Sequence, residues 1–414
     1  MKTLKVKLYP NKEQQNSLRQ FLGNTRFIWN KLIEENIYTL TKAGRRITEL
    51  RKENDFLRLS PVQTLQQTAL QLIKAYKMYK KGYTKKPSFK KKKNFDGILI
   101  FPHRFKLSIS KIGIPKLGWI KFKDKIISKE KFKLIQENIR QIWIKEEPDG
   151  FFAYFIYNDN SNKKKQNNNS WIGIDLGLKD TITLSSGEKF RINAEKIKKI
   201  IRKIKRLTSV IDKKKNINKK RKIKNSNRLR KLQIRRLKFF KKIKNIRDDF
   251  YHKVVNRILN SHEYAVIEDL KLSKLREKDA EVKKQSKNFH KKLNYLALGR
   301  FLEILKYKAE DKGCKLIKVN PSNTSRICSN CGWLNEKLSI SDRVFRCRKC
   351  GLVLDRDINA SRNILRLGWT ELNGREMVGK YPTYTPTVRK GRKPVCKAKK
   401  EELEWKFLYR PLKR

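Results

Sequence analysis

Hydrophobic and polar side chains alternate over residues 3–9 (TLKVKLY), a two-residue period that predicts a strand. Pro10 and Asn11 end it. The period then lengthens to that of helices until about residue 80, with Leu18, Phe21, Leu22, Phe27, Trp29 and Leu32 as the first apolar contacts. A second helix opens after Ser60-Pro61 and puts Val62, Leu65, Ala69, Leu72 and Ile73 on one side and Gln63, Gln67, Gln71 and Lys74 on the other. Between Phe95 and Asn158 the pattern returns to strands: ILIFPHRFKLSI, WIKFK, IRQIWIK and FFAYFIYN, the last two turning at Pro148-Asp149-Gly150. A small antiparallel barrel or sheet fits this region, completed by residues 3–9, which makes the helical part an insertion.

Residues 158–170 (NDNSNKKKQNNNS) are polar, of low complexity, and read as a linker. WIGIDLGLKDTITLSSGEKFRI then predicts three strands of an antiparallel meander, turning at residues 177–180 and at Ser186-Gly187, and YAVIEDLKL adds a later buried strand. Between them Ile197, Ile200, Ile201, Ile204 and Leu207 recur at helical spacing, and Leu229, Leu232, Leu237, Phe240, Ile243 and Val254 mark a second helix. The intervening DKKKNINKKRKIKNSN is charged enough to be expected as a loop or frayed end, ordered on phosphate contact if RNA binds there.

Charge narrows the class. The 414 residues carry 105 Lys+Arg against 39 Asp+Glu, a formal net charge of +66, which makes a polyanion the natural partner. The basic residues run from end to end and no apolar run approaches a membrane span, so nucleic acid is favoured over a lipid surface. MKTLKVKLYP lacks the apolar core of a signal peptide, and a reduced, intracellular protein is expected, cytoplasmic or nucleoid-associated in a prokaryote and nuclear in a eukaryote. The Gln63 to Lys74 stripe suits groove reading, since Gln pairs bidentately with adenine; a solvated helix face fits the spacing equally.

Two sets of residues carry chemistry. Cys328, Cys331, Cys347 and Cys350 form C-x₂-C-x₁₅-C-x₂-C, two chelating knuckles with a spacer that closes a hairpin. Four thiolates with no histidine in the segment imply a closed, structural zinc ribbon. The rival, two disulfides of a secreted domain, fits poorly with a chain whose other cysteines are Cys314, expected in the core, and Cys396, expected in the tail. The second set is Asp175 after the strand at 171–174, Glu268 at the end of YAVIE, and Asp357 in LDRDINASRNIL, where a helix is expected from near Asn359. Three carboxylates at the ends of three hydrophobic segments meet the need of a two-metal phosphodiesterase site holding paired Mg²⁺; singly, each has a surface or capping role as its alternative.

GIDLGLKD, VIEDL and DRDINASRNI in that order, with CSNC and CRKC just before the third, resemble the split RuvC-like nuclease domain of the TnpB family. These are RNA-guided nucleases of bacterial and archaeal insertion sequences, related to type V CRISPR effectors and to Fanzor proteins. KVKLYPNKEQQNSLRQFLGNTRFIWN, SPVQTLQQTAL, KPSFKKKKNF and IGIPKLGWIKF extend the resemblance over nearly the whole chain, least distinctively at residues 195–255.

The resemblance implies a multidomain α/β protein: a wedge-like β-barrel at 1–10 and 90–160, a helical recognition insertion at 11–89, and an RNase H-like (RuvC) domain at 171–320 and 351–370 carrying basic helices at 192–260. A zinc ribbon at 321–350 and a basic tail at 371–414 complete it. It assigns Asp175, Glu268 and Asp357 as the catalytic, Mg²⁺-binding acids, with Asp355 the weaker candidate beside Asp357. It also implies a structured guide RNA derived from the encoding element, double-stranded target DNA next to a short flanking motif, and metal-dependent hydrolysis. Three rival readings stand beside it: a non-cleaving RNA-guided repressor, a guide-independent transposase-type protein, and a basic RNA-binding scaffold, which leaves the three acidic motifs unexplained.

Overall fold

The computed structural model describes residues 1–91, 97–122, 128–159, 169–222, 226–270, 294–339 and 342–373. Most of the expected linker and nearly all of the expected tail, Cys396 included, lie outside them. The chain divides into two compact units, Met1–Ser161 with Asn218–Lys238, and Asn162–Ile217 with Phe239–Arg414.

In the first unit, β1 (Lys2–Tyr9) is followed by α1 (Lys12–Glu34), α2 (Leu40–Glu53), α3 (Asp55–Arg58) and α4 (Val62–Lys80). Asn11 stops the strand and starts the helix: its side chain accepts from the Gln14 N–H at 2.8 Å, and the Gln14 side chain returns the bond to the Asn11 N–H at 3.1 Å. Six further strands follow: β2 (Ile98–Phe101), β3 (Lys106–Leu107), β4 (Lys111–Ile114), β5 (Gly118–Phe122), β6 (Ile139–Glu147) and β7 (Gly150–Tyr157). All pairings are antiparallel, in the order β2-β6-β7-β1-β5-β4-β3. The expected barrel is an open sheet among the described residues, with β2 and β3 at its edges. One core packs against it, drawing Val6 and Leu8 from β1, Leu18 and Phe21 from α1, and Phe132 and Ile135 from α5 (Lys129–Asn138). That last helix is absent from the sequence reading, because only Phe132 and Ile135 mark its buried face.

The second unit holds β8 (Trp171–Asp175), β9 (Ile182–Leu184) and β10 (Lys189–Phe190), the expected meander, with β11 (Tyr264–Glu268) and β12 (Lys315–Val319) added in parallel. The order is β10-β9-β8-β11-β12, a mixed sheet covered on both faces. Ile172, Ile174, Ala265 and Ile267 point to a core shared with the end of α7 (Asn227–Ser261) and with α8 (Leu298–Lys312). Buried Cys314 belongs to this core, as expected. The opposite face carries α9 (Arg356–Asn373) through Val266, Ile364 and Leu365.

Ahead of α7, α6 (Ala194–Lys220) packs on it by Ile197, Ile200, Ile204 and Ile243. The charged segment from residue 212, expected as a loop or frayed helix end, is helical to Lys220. Burial of Ile211 and, one heptad on, Asn218, which donates to the Ser226 hydroxyl at 3.3 Å, gives that turn a packed side. No helix among the described residues is long and apolar enough to cross a membrane.

Candidate active site and metal centre

Strand register puts the first two acids side by side. Ile174 pairs with Ile267 in the parallel β8–β11 ladder, so Asp175 and Glu268, one step on, lie level at the carboxyl ends of adjacent strands. In the other direction Asp175 pairs with Thr183 and Thr183 with Lys189. Lys189, Thr183, Asp175 and Glu268 therefore form one cross-sheet row, and laterally paired residues share a face. That face is the one under α9. A Cβ on Gly173, two residues before Asp175, would sit 2.1 Å from the Ser361 carbonyl oxygen, and one on Gly368 would sit 2.3 Å from the Val266 side chain. Glycine at both points lets the helix lie against the strands, and Asp357 stands in its first turn.

The electrostatics of the three acids match this convergence. Burial, then the charges of Glu268 and Asp357, push the Asp175 carboxyl up to about 8. Glu268 is raised by burial and partly relieved by Thr324, whose hydroxyl donates to Oε1 at 2.6 Å. Asp357 is raised by burial and by Asp355, against the pull of Lys189, Arg343 and Arg356. Part-buried carboxylates whose negative charges meet at Asp175 are a donor set for hard divalent cations.

Asp355 has a different occupation. Its Oδ1 accepts the N–H groups of Asp357 at 3.0 Å and Ile358 at 3.2 Å, which makes it the N-cap of α9. The helix consequently starts at Arg356, three residues before the expected Asn359. The other oxygen, Oδ2, pairs with Lys189 Nζ at 2.7 Å.

The cysteines close on one point: Cys328 and Cys350 Sγ are 3.7 Å apart, Cys331 and Cys347 Sγ 3.5 Å. A tetrahedron with Zn–S bonds of about 2.3 Å has edges of roughly 3.8 Å, so the quartet fits a tetrahedral ion. The two knuckles repeat each other. Gly332 and Gly351 take φ of 77° and 72°, and their N–H groups donate to Cys328 O at 3.0 Å and Cys347 O at 3.1 Å. β13 (Val344–Arg346) and β14 (Val353–Asp355) form a hairpin that carries Cys347 and Cys350 at its turn and leads into the helix. On α9, Asn359 donates to Ile327 O at 2.7 Å and accepts from Ser329 N–H at 2.9 Å, while Asn363 donates to Thr324 O and Ile327 O at 2.8 and 2.7 Å. Thr324, Asn359, Asn363 and Lys189 escaped the sequence reading. Two asparagines spaced i, i+4 on a predicted helix were the one available signal.

In the first unit the glutamine stripe separates. Gln63 is 6% exposed, packed inside the helical bundle, and so is not placed to read bases; α4 is covered over more of its circumference than a two-sided pattern implies. Gln67 and Gln71 are part-buried and Lys74 is exposed. Gln71 lines a cleft of about 810 Å³ with Arg19, Arg26, Lys90, Arg230 and Lys231.

Three family models match the chain: a Cas12f1-like TNB domain over residues 299–364, OrfB_IS605, described as a probable transposase, over 144–279, and a helix-turn-helix domain of OrfB_IS605 over 1–45. The chain is 28% identical over 401 residues to a protein of Escherichia coli (strain K12) named as an RNA-guided DNA endonuclease, InsQ, covering 91% of this chain and 95% of that one. TnpB-like protein L79 of Acanthamoeba polyphaga mimivirus is 31% identical over 202 residues, 47% of this chain and 37% of its own length. Among solved structures, the Cas12f1 of a Cas12f1–sgRNA–target DNA complex superposes with a TM-score of 0.51 at 17% identity, over 85% of this chain and 82% of that one, a likeness of fold.

Proposed function

The chain belongs to the TnpB family, and from that premise we propose that it is the RNA-guided DNA endonuclease of a transposable element, cutting at the row of acids beneath α9. The observation that carries this reading is the register that sets Asp175 beside Glu268 under the first turn bearing Asp357. In this reading the mixed sheet is an RNase H-like (RuvC) domain interrupted by the zinc ribbon, the seven-stranded sheet is a wedge, and α1 to α4 form a recognition insertion.

Asp175, Glu268 and Asp357 would hold Mg²⁺, which when bound supplies an activated water and a counter-charge for the leaving oxygen. The protein's own part is to keep three carboxylates converging at a half-buried edge, with Thr324 fixing the orientation of Glu268 through its hydroxyl. Cys328, Cys331, Cys347 and Cys350 would hold Zn²⁺ as a structural ion, stiffening the segment that Asn359 and Asn363 grip. A structured RNA from the element would lie along the basic surface, its free end pairing with target DNA, while Gln67, Gln71 and Lys74 beside the basic cleft would meet the flanking motif.

The test is to purify the protein from cells carrying its flanking DNA, sequence the RNA that accompanies it, and cut a plasmid library matching that RNA with and without Mg²⁺. Guided cutting lost in Asp175→Ala supports the proposal. Guided binding without cutting would make the protein a repressor, and absence of a discrete RNA would return it to a transposase or a general RNA binder.

A further inference from the structure

Lys189 sits on the same cross-sheet row as Asp175, two strands away, and reaches the N-cap of α9 instead of solvent. We propose that Lys189 and Asp355 act together as positioning residues that hold Asp357 over Asp175 and Glu268; this rests on the nuclease reading above. Asp355 uses both oxygens. One fixes the amides of Asp357 and Ile358, so the backbone of the third acid hangs from Asp355; the other is fixed by Lys189. Lys189 is itself anchored, 3.4 Å from Asp180 Oδ2, a carboxylate buried in the turn before β9. A chain of contacts thus runs from the meander edge through Asp180, Lys189 and Asp355 to the amide of Asp357.

The division of labour at Asp180 makes the inference testable. Its Oδ1 is held by Arg191, so the buried carboxylate keeps a cation when Lys189 is truncated. Lys189→Met therefore removes the tie to α9 without stranding a buried charge. Asp355→Asn keeps an oxygen able to cap the helix and loses the ion pair, whereas Asp355→Ala loses both. Pairing with Lys189 also occupies the oxygen that would make Asp355 a fourth metal ligand, and the same variants separate that alternative.

The experiment titrates Mg²⁺ in guided cleavage for the intact protein–RNA complex with Lys189→Met, Lys189→Arg, Asp355→Asn, Asp355→Ala and Lys189→Met/Asp355→Asn, and follows amide exchange in the peptide spanning residues 354–364. Expected is about a tenfold rise in half-saturating Mg²⁺ for Lys189→Met and for Asp355→Asn, the size of effect that follows when a group supporting the metal ligands is removed. Cutting at saturating Mg²⁺ should be retained, the double variant should be no worse than either single one, and Lys189→Arg should restore the intact value. Exchange should quicken most, about fivefold, in Asp355→Ala, which loses the cap. Unchanged Mg²⁺ demand in Lys189→Met overturns the proposal, as do additive effects in the double variant, which would make Asp355 a ligand in its own right. Should Lys189→Met fail to accumulate, Asp355→Asn with unaltered Mg²⁺ demand overturns it equally. Guided cutting that survives Asp175→Ala in the same series would instead refute the assignment of the active site to these acids, and absence of guided cutting in the parent would refute the nuclease reading.

Discussion

Gly173 shows how far a single side chain can govern this site. Its missing Cβ admits the Ser361 carbonyl, a backbone atom that cannot swing aside, so Gly173→Ala must lift α9 from β8. A cost of about 1–3 kcal/mol is expected, with cleavage falling more steeply than the melting temperature because Asp357 moves with the helix. Calorimetry and cleavage rates on one preparation check both halves of that statement. At Glu268, Thr324→Ser should preserve the 2.6 Å bond and the activity, while Thr324→Val should slow cleavage about tenfold at unchanged guide-RNA binding. Asp175 and Glu268 were legible as candidates because each closes an apolar strand, and Asp357 through the resemblance carried by DRDINASRNI. Lys189 and Thr324 were not, since their importance comes from register and from contacts 166 and 56 residues distant in sequence. Gln63 misled for the opposite reason: a polar residue on a plausible outer stripe lies inside.

At the scale of elements, alternation and helical period located the meander, β1, β6, β7, α1 and α4, whereas α5 passed unseen and α9 began earlier than read. The miss at α9 is physical: Asp355 serves as its cap, a role that in sequence is indistinguishable from that of an acid near a metal site. One clamp in the first unit also emerges only in three dimensions. Arg46 on α2 donates to Glu35 at 2.8 and 3.0 Å, to Glu49 at 3.1 Å and to Glu53 at 2.7 Å, tying α2 to the end of α1. Hydrogen bonding from Arg46 holds the Glu35 carboxyl below its usual 4.5. A depressed carboxyl stabilises the fold above its unfolded value and loses that contribution as pH falls through its folded value. Arg46→Met should therefore cost about 1 kcal/mol near pH 7 and progressively less below pH 4.5, read from unfolding of the variant and the parent across that range.

Across the whole molecule the net charge of +66 sets the terms of association. Binding to guide RNA and to DNA should weaken steeply as salt rises, with log affinity falling linearly in log salt, and filter binding at several NaCl concentrations gives the slope. Neutralising Lys90 and Lys231 in the basic cleft should flatten that slope by about one for each phosphate left without its cation, and leave unaltered which DNA is cut. Sequence composition disclosed this electrostatic character. The convergence of Arg19 and Arg26 with Arg230 and Lys231 on one cleft, across some two hundred residues of chain, required the fold.

The grip of Asn359 and Asn363 on residues 324–329 joins α9 to the base of the cysteine knuckle. The first two turns of α9 are held from one side by the sheet and from the other by the base of the cysteine knuckle. A shortened protein made by deleting residues 328–350 would lose more than an accessory. It would leave buried amides on α9 facing a gap and free the turn that presents Asp357. Shortening this protein must therefore begin elsewhere, for the cysteine hairpin braces the helix turn that carries Asp357.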